Sequence, residues 1–474
     1  MTEIASDCER YRTEEDSLGQ VRVDARAYHG VQTQRAIENF PISGIAIAKV
    51  PLLVRSIAEV KKAAAIANVK VCRLETDIGA AIVQACDEVA SGSFDDSFPV
   101  DLCQGGAGTS TNMNANEVIA NRALEILGLP RARYDVIHPN DHVNLGQSTN
   151  DSYATAVRLS VYRANLELTD ALGRLSASFE AKGAEFSFIR KLGRTQLQDA
   201  VPMSLGDEFR AYAITLQEDI LRAQEIAAHF LTVNLGATAI GTGAGNSPEY
   251  RAAVIPALRE VTGLPIERAQ NLIEATWDMG AFLSYSGTLR RSAAKLSKIA
   301  NDLRLLSSGP SGGIGEIVLP PRQLGSSIMP GKVNPVMPEM LNCVAFRVFG
   351  LDASVTYATE AGQLQLNAFE PLILWSIHES IGLMVNGINA FLTHCVDGLQ
   401  ANPEACASHL MRSTAMATEL VPLIGYSRSA KVAYRAQETG HIMQAVAELE
   451  PDILSEFKRI VNDAPSTAAP GDIG

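Results

Sequence analysis

The sequence predicts an all-α protein made of long helices packed side by side. Three observations predict it. Apolar residues recur at steps of three, four and seven through segments of about twenty residues or more. Alternating apolar and polar runs bounded by turns are few. The repeating strand-then-helix order that builds a parallel sheet does not occur.

The stripes are explicit. One runs Leu168, Leu172, Leu175, Phe179; a second Phe209, Tyr212, Leu216, Ile220; a third Leu289, Leu296, Ile299, Leu303, Leu306. At 3.6 residues per turn each set lies on one helix face, and such faces pair in bundles. The apolar faces are too extensive for one bundle to cover, which leads us to expect an oligomer. A chain of 474 residues exceeds the size at which a single core stops growing, so two or three structural units are expected. Hydrophobic residues at 46% and charged residues at 20% give a globular balance. The first ten to fifteen or so residues and the Pro-, Ala- and Gly-rich tail after Asp463 are expected to be loose.

Charge narrows the partners. Lys and Arg number 40 against 53 Asp and Glu, a net charge of -13, which repels nucleic acid and anionic membrane surfaces. An anionic substrate therefore needs a local positive site. No stretch approaches the roughly 18 apolar residues of a membrane span, and the acidic N-terminus has no apolar leader core, so the cytoplasm is the expected location. The seven cysteines, Cys8, Cys72, Cys86, Cys103, Cys343, Cys395 and Cys406, lack metal-ligand spacing and read as reduced, mostly buried thiols, so no metal site is expected.

Four polar segments interrupt the helical pattern: GGAGTSTNMNANE from Gly105, HPNDHVNLGQSTND from His138, GRTQLQDAVPMSLG from Gly193 and GSSIMPGKVNP from Gly325. In the last, glycines and prolines bracket a loop whose amides at Ser327, Ile328 and Met329 could cradle an anion beside Lys332 and Asn334. Its residue types equally suit a surface turn with a solvated lysine. GGAGTST lacks the Lys-Ser or Lys-Thr of a nucleotide loop, and GATAIGTGAGN from Gly236 lacks dinucleotide spacing. Thr109, Ser148, Thr149, Asn150, Thr195 and Gln196 supply neutral hydrogen bonds suited to carboxylates, and are also ordinary cap and turn residues.

The segments together resemble the fumarase/aspartase superfamily. Its loop G-S-S-x-M-P-x-K-x-N-P is met at every defined position by Gly325 to Pro335, and the likeness runs from YRTEEDSLG through GVQTQRAIENF to EAGQLQLNAFEP. The resemblance implies three helical domains, residues 1–147, 148–402 and 403–474, the central one a long-helix bundle. It also implies assembly into a homotetramer whose sites each draw on three subunits. It implies that Ser326 takes the Cβ proton of L-aspartate, releasing ammonia and fumarate through an aci-carboxylate. Thr109, Ser148, Thr149, Ser327, Ile328 and Met329 would hold the carboxylate that gains charge, Thr195, Lys332 and Asn334 the α-carboxylate, and Asn150 and Gln196 the amine.

No cofactor is required on this reading; Mg2+, an activator of some relatives, would act outside the chemistry. Fumarases typically carry His where Gln196 stands, and Gln cannot take up a proton. Fumarate hydration is the alternative, with N-substituted aspartates as further substrates and a silent structural member as the non-enzymatic reading. Leu145 and Gly146, Ala154, and Asp24 with Arg26 depart from the usual pattern and leave the amine pocket open. Ser326 and Lys332 are present, as catalysis requires.

Overall fold

The computed structural model describes residues 10–462. Helices dominate them, as expected: α1 Val31–Asn39, α2 Pro51–Lys70, α3 Thr76–Ala90, α4 Thr109–Ile126, α5 Thr149–Glu185, α6 Leu205–Ala227, α7 Pro248–Thr262, α8 Gly280–Leu306, α9 Val336–Glu360, α10 Glu370–Phe391, α11 Pro403–Arg412, α12 Tyr426–Thr439 and α13 Ile442–Leu449. Sheet is confined to small two-stranded ladders, notably β1 Tyr11–Asp16 with β2 Gly19–Asp24, and β3 Arg190–Thr195 with β4 Gln198–Ser204. The expectation of a loose start ends at Tyr11, where this first hairpin begins; the residues before Arg10, Cys8 among them, and the tail from Asp463 lie outside the described part.

The chain forms two compact units. Unit 1 holds residues up to Thr169 with Leu221–Arg291 and Arg347–Leu383; unit 2 holds Asp170–Ile220, Ser292–Phe346 and the chain from Met384. These are groupings in space. Among the described residues, 10–147 fall in unit 1, 403–462 fall in unit 2, and the segment 148–402 is divided between the two.

The predicted stripes are the core. Leu168, Leu172, Leu175 and Phe179 of α5, and Leu289, Leu296, Ile299 and Leu303 of α8, are at most 1% exposed. In unit 2 Phe209 packs edge-on to Phe186 at 5.3 Å between ring centres, and Tyr212 lies 5.6 Å from Phe179; the edge-to-face arrangement adds favourable quadrupole contact to the area buried. The second stripe weakens at its end, where Ile220 is only half-buried. Around α11, α12 and α13 a separate cluster of Leu410, Met416, Leu420, Val432, Ile442 and Phe457 closes this unit's core. In unit 1, α7 starts at Ser247, whose hydroxyl accepts from the Tyr250 amide at 3.2 Å, and stops at Gly263 with φ +69, the usual polar start and glycine stop.

Glu117 of α4 is buried and accepts from the amides of Gly30, Gln32 and Thr33, at 2.8, 2.8 and 3.1 Å, and from the Thr33 hydroxyl at 2.6 Å. It caps α1 from another helix, a negative group at the positive helix end. Not all thiols are interior: Cys86, Cys395 and Cys406 are buried, but Cys72 and Cys343 are exposed and Cys103 half-buried. Burial pushes the Cys395 and Cys406 thiols up to about 12, so they remain protonated.

In unit 2 the charge network around Glu316 fixes the β3–β4 hairpin. Glu316 has no exposure to water and pairs with Arg194 at 2.7 Å, Lys191 at 3.1 Å and His409 of α11 at 3.0 Å. Burial pushes its carboxyl up, but Arg194, Lys191 and His409 outweigh that and hold it below its ordinary value. Its backbone joins in: the Glu316 amide donates to Leu306 O, and its carbonyl accepts from the Asn402 amide. Replacing Glu316 with Leu is expected to destabilise the fold by about 3–5 kcal/mol, because two cations lose their buried partner. A depressed folded-state carboxylate stabilises above its unfolded value and loses that stabilisation as pH falls through the folded one. Urea unfolding should therefore show a large gap between wild type and variant at pH 7 that narrows below about pH 4.

Candidate active site

In unit 1 the chain turns sharply before α4. Gly106, Ala107 and Gly108 have φ of +88, +54 and +85 in succession, a left-handed path that Ala enters only with strain. A Cβ on Gly108 would stand 2.3 Å from the Tyr153 ring, so glycine is required there by space and by conformation together. The turn delivers Thr109 as the first residue of α4, exposed at its surface. The segment GGAGTSTNMNANE is thus a turn only as far as Gly108; the rest is helix.

The start of α5 supplies the next three. The Ser148 hydroxyl accepts from the Asn150 amide at 3.3 Å, and Asp151 Oδ1 accepts from the Ser148 amide at 2.8 Å, a reciprocal cap. Asp151 is fully buried, and its second oxygen takes the amides of Gly236 and Thr238 at 3.1 and 2.9 Å. Burial raises its carboxyl to about 6 against the pull of those amides and of Lys61. Asn150 donates to Ala239 O at 2.7 Å, and its own carbonyl accepts from Asn234 at 2.9 Å. Thr149 Oγ1 accepts from Asn112 Nδ2 of α4 at 3.1 Å, which ties the two helix starts together. Ser148, Thr149 and Asn150 thus share one polar cluster with Asn112, and Thr109 lies at the start of the helix that carries Asn112.

The other candidates lie in unit 2. Thr195 and Gln196 sit exposed at the β3–β4 turn, where Gln196 and Leu197 have φ of +52 and +62. Two-residue turns with both φ positive favour Asn and Gly; Gln-Leu here is strained, and strain of this kind collects at functional positions. The segment expected as an irregular break is thus a hairpin.

The Gly325–Pro335 loop is pinned at its neck. The Gly325 amide donates to Lys332 O at 2.8 Å, and Asn334 Nδ2 to Gly325 O at 3.0 Å. A Cβ on Gly325 would lie 2.7 Å from Lys332 O, so the neck closes only around glycine. Inside the finger, the Met329 and Ile328 amides donate to Ser326 Oγ at 2.9 and 3.2 Å. Two of the amides expected to face a substrate anion thus face the serine oxygen. Ser327, Ile328, Met329 and Lys332 are exposed, while Ser326 and Asn334 are half-buried. Beside the loop a cleft of about 630 Å³ is lined by Lys332, Asn334, Arg304, Ser307 and Ser308, which is a local positive site on an acidic chain. Within this unit and among the described residues, no hydrogen bond or ion pair joins the Thr195–Gln196 turn to the loop.

Sequence reasoning missed Lys61, Asn112, Asn144 and Asp151. Lys61 carried a signal: it interrupts the otherwise apolar stripe Leu53, Val54, Ile57, Ala64. Among the described residues no group of three His, Cys, Asp or Glu is placed to hold a metal ion.

A family model described as lyase matches residues 19–350. An aspartate ammonia-lyase of Pseudomonas fluorescens is 52% identical over 467 residues, 98% of this chain and 98% of that protein. The aspartate ammonia-lyase of Escherichia coli strain K12 is 50% identical over 446 residues, 94% of this chain and 93% of its own. Among solved structures, a fumarate lyase:delta crystallin from Brucella melitensis bound to cobalt superposes with a TM-score of 0.93 at 53% identity, covering 95% of this chain and 99% of that one. A class II fumarase from Schistosoma mansoni gives 0.89 at 36% identity, covering 95% and 98%.

Replacing Gly108 with Ala should lower stability by about 2–4 kcal/mol, because overpacking against Tyr153 adds to left-handed strain. A thermal melt unchanged within about 2 °C would contradict this account of the turn before Thr109.

Proposed function

The chain belongs to the lyase family of the fumarase/aspartase superfamily, and from that premise we propose that it is an aspartate ammonia-lyase, converting L-aspartate reversibly to fumarate and ammonia. The reading rests on one feature of the loop: Ser326 Oγ accepts from two backbone amides. A neutral serine cannot remove a proton from Cβ. Two amide donors favour the alkoxide, and a closed, dry site would strengthen them. The same loop carries Lys332 beside a positive cleft, fitted to a substrate that the overall charge of -13 repels.

Ser326 removes the Cβ proton and leaves the adjoining carboxylate as an aci-carboxylate dianion. Thr109, Ser148, Thr149 and Ser327 take the developing charge, while the Ile328 and Met329 amides hold Ser326 Oγ; Thr195, Lys332 and Asn334 hold the α-carboxylate; Asn150 and Gln196 hold the amine until ammonia leaves. Ammonia rather than water as the leaving group is supported by the greater likeness to aspartate ammonia-lyases than to the fumarase, and by Gln196, which cannot shuttle a proton.

We also propose a homotetramer with each site shared among three subunits. Large apolar groups exposed on the long helices support it: Ile214 at 55%, Leu221 at 60% and Tyr357 at 76%. Among the described residues no helix is long and apolar enough to cross a membrane; a cytoplasmic location is part of the proposal. So is chemistry without an organic cofactor or metal, with Mg2+ as an activator only.

Replacing Ser326 with Ala should reduce fumarate formation from L-aspartate by at least about 10³-fold while the tetramer persists by light scattering. Near-normal rates in that variant would remove the proposed base. Supplying L-aspartate, N-substituted aspartates, and fumarate in water separately, with and without a chelator, distinguishes the substrates; malate formed without ammonia chemistry would make the protein a hydratase.

A further inference from the structure

Lys61 lies on α2 with no exposure to water, a position where a charge persists only if its donors are bonded. Its ammonium donates to Asn144 Oδ1 at 2.8 Å. That oxygen also accepts from Asn112 Nδ2 at 3.2 Å, and the same nitrogen reaches Thr149 Oγ1 at 3.1 Å. An ammonium has hydrogens and no acceptor, so Lys61 sets the polarity of each link. Asn144 must turn its carbonyl oxygen inward, Asn112 must offer its NH2, and Thr149 must receive with a lone pair. The Thr149 hydrogen is thereby left to point out of the cluster. Beside it, the Ser152 hydroxyl donates to Ser148 O at 2.7 Å, which anchors the same helix start.

We propose that Lys61 is a positioning residue for the lyase site: acting through Asn144 and Asn112, its buried charge fixes the Thr149 hydroxyl as a donor to the substrate carboxylate and strengthens that donation as the carboxylate becomes a dianion. The proposal rests on the deamination reading above. Lys61 never touches the substrate, and no proton moves along the chain of side chains. The titratable groups that face it are Asp151 of α5 and Cys86 of α3. Burial pulls the Lys61 ammonium down to about 7 against the opposing pull of both. Its charge is therefore marginal, and negative charge gathering near Thr149 favours the charged form. The interaction strengthens in step with the reaction, which is the property that raises kcat rather than affinity.

Two full-length variants test this. Lys61→Met removes the charge at similar volume. Asn144→Asp keeps Lys61 paired, now by a carboxylate that cancels its charge, and so protects folding. Each should form fumarate from L-aspartate with kcat lowered about 10- to 100-fold, the scale of losing a group behind the contact layer. KM should change by less than about three-fold, and inhibition by succinate, a dicarboxylate that gains no second charge, by less than about two-fold. A folded variant with kcat within about two-fold of wild type overturns the proposal. So does a parallel fall of kcat, succinate affinity and thermal midpoint, or the failure of both variants to fold, since each marks a purely structural lysine. Wild-type protein in the same assay keeps the two readings apart. If it yields no fumarate, the deamination reading fails; if it is active and the variants match it, only the role of Lys61 fails.

Discussion

A charged side chain sealed from water must find bonds within the protein, and this requirement orders the polar segments of the chain. Desolvating one ion costs several kcal/mol, while each hydrogen bond to a charged group returns about 1.5–3. A buried carboxylate is therefore stable only when several donors converge on it, and the donors here are loop backbone and distant cations. Asp151 gathers the amides of Ser148, Gly236 and Thr238. Glu316 gathers Arg194, Lys191 and His409. Glu117 gathers the first turn of α1. In each case a helical frame that is apolar along its stripes reaches out through one acid to hold what is not helical.

That anchoring permits strain where the candidate residues sit. Ala107, Gln196, Leu197 and Thr238 all hold positive φ without being glycine, at roughly 1–2 kcal/mol each. Ala107 immediately precedes the turn into Thr109, Gln196 and Leu197 form the tip of the hairpin held by Arg194 and Lys191, and Thr238 gives its amide to Asp151. Gln196, Leu197 and Thr238 are thus next to anchors, while Cys72, Ala132 and Leu364 hold positive φ elsewhere. Local backbone distortion is offset by bonds that the undistorted path would not make.

The two polar groupings differ in what they offer chemically. The unit 1 cluster is rich in oriented hydroxyls and amides, with Lys61 buried behind Asn144 and Asn112. The unit 2 loop and its neighbouring cleft put Lys332 and Arg304 forward, and turn two amides onto Ser326. Neutral oriented donors suit charge that appears during a reaction, because they need not be stripped of water first. Exposed cations suit charge that is present from the start.

The sequence by itself determined the helices and the character of the signature loop. Helical periodicity is a local property: Leu168 to Phe179 and Leu289 to Leu303 are buried because their spacing places them on one face, whatever surrounds them. The loop at Gly325 was legible through its resemblance, and Gly325 is needed because any Cβ would strike Lys332 O. Other features had no local sign. A Gln-Leu turn does not announce a hairpin, so β3 and β4 passed for a break, and the strand beginning at Tyr11 passed for a loose end. The partners of Glu316 lie 122 and 93 residues away in Arg194 and His409, and the Asn144 that receives Lys61 lies 83 residues on. Only the tertiary structure decided these, because a buried charge is defined by what packs around it, and because the direction of the amides at Ser326 depends on a closed neck that residue types alone do not specify.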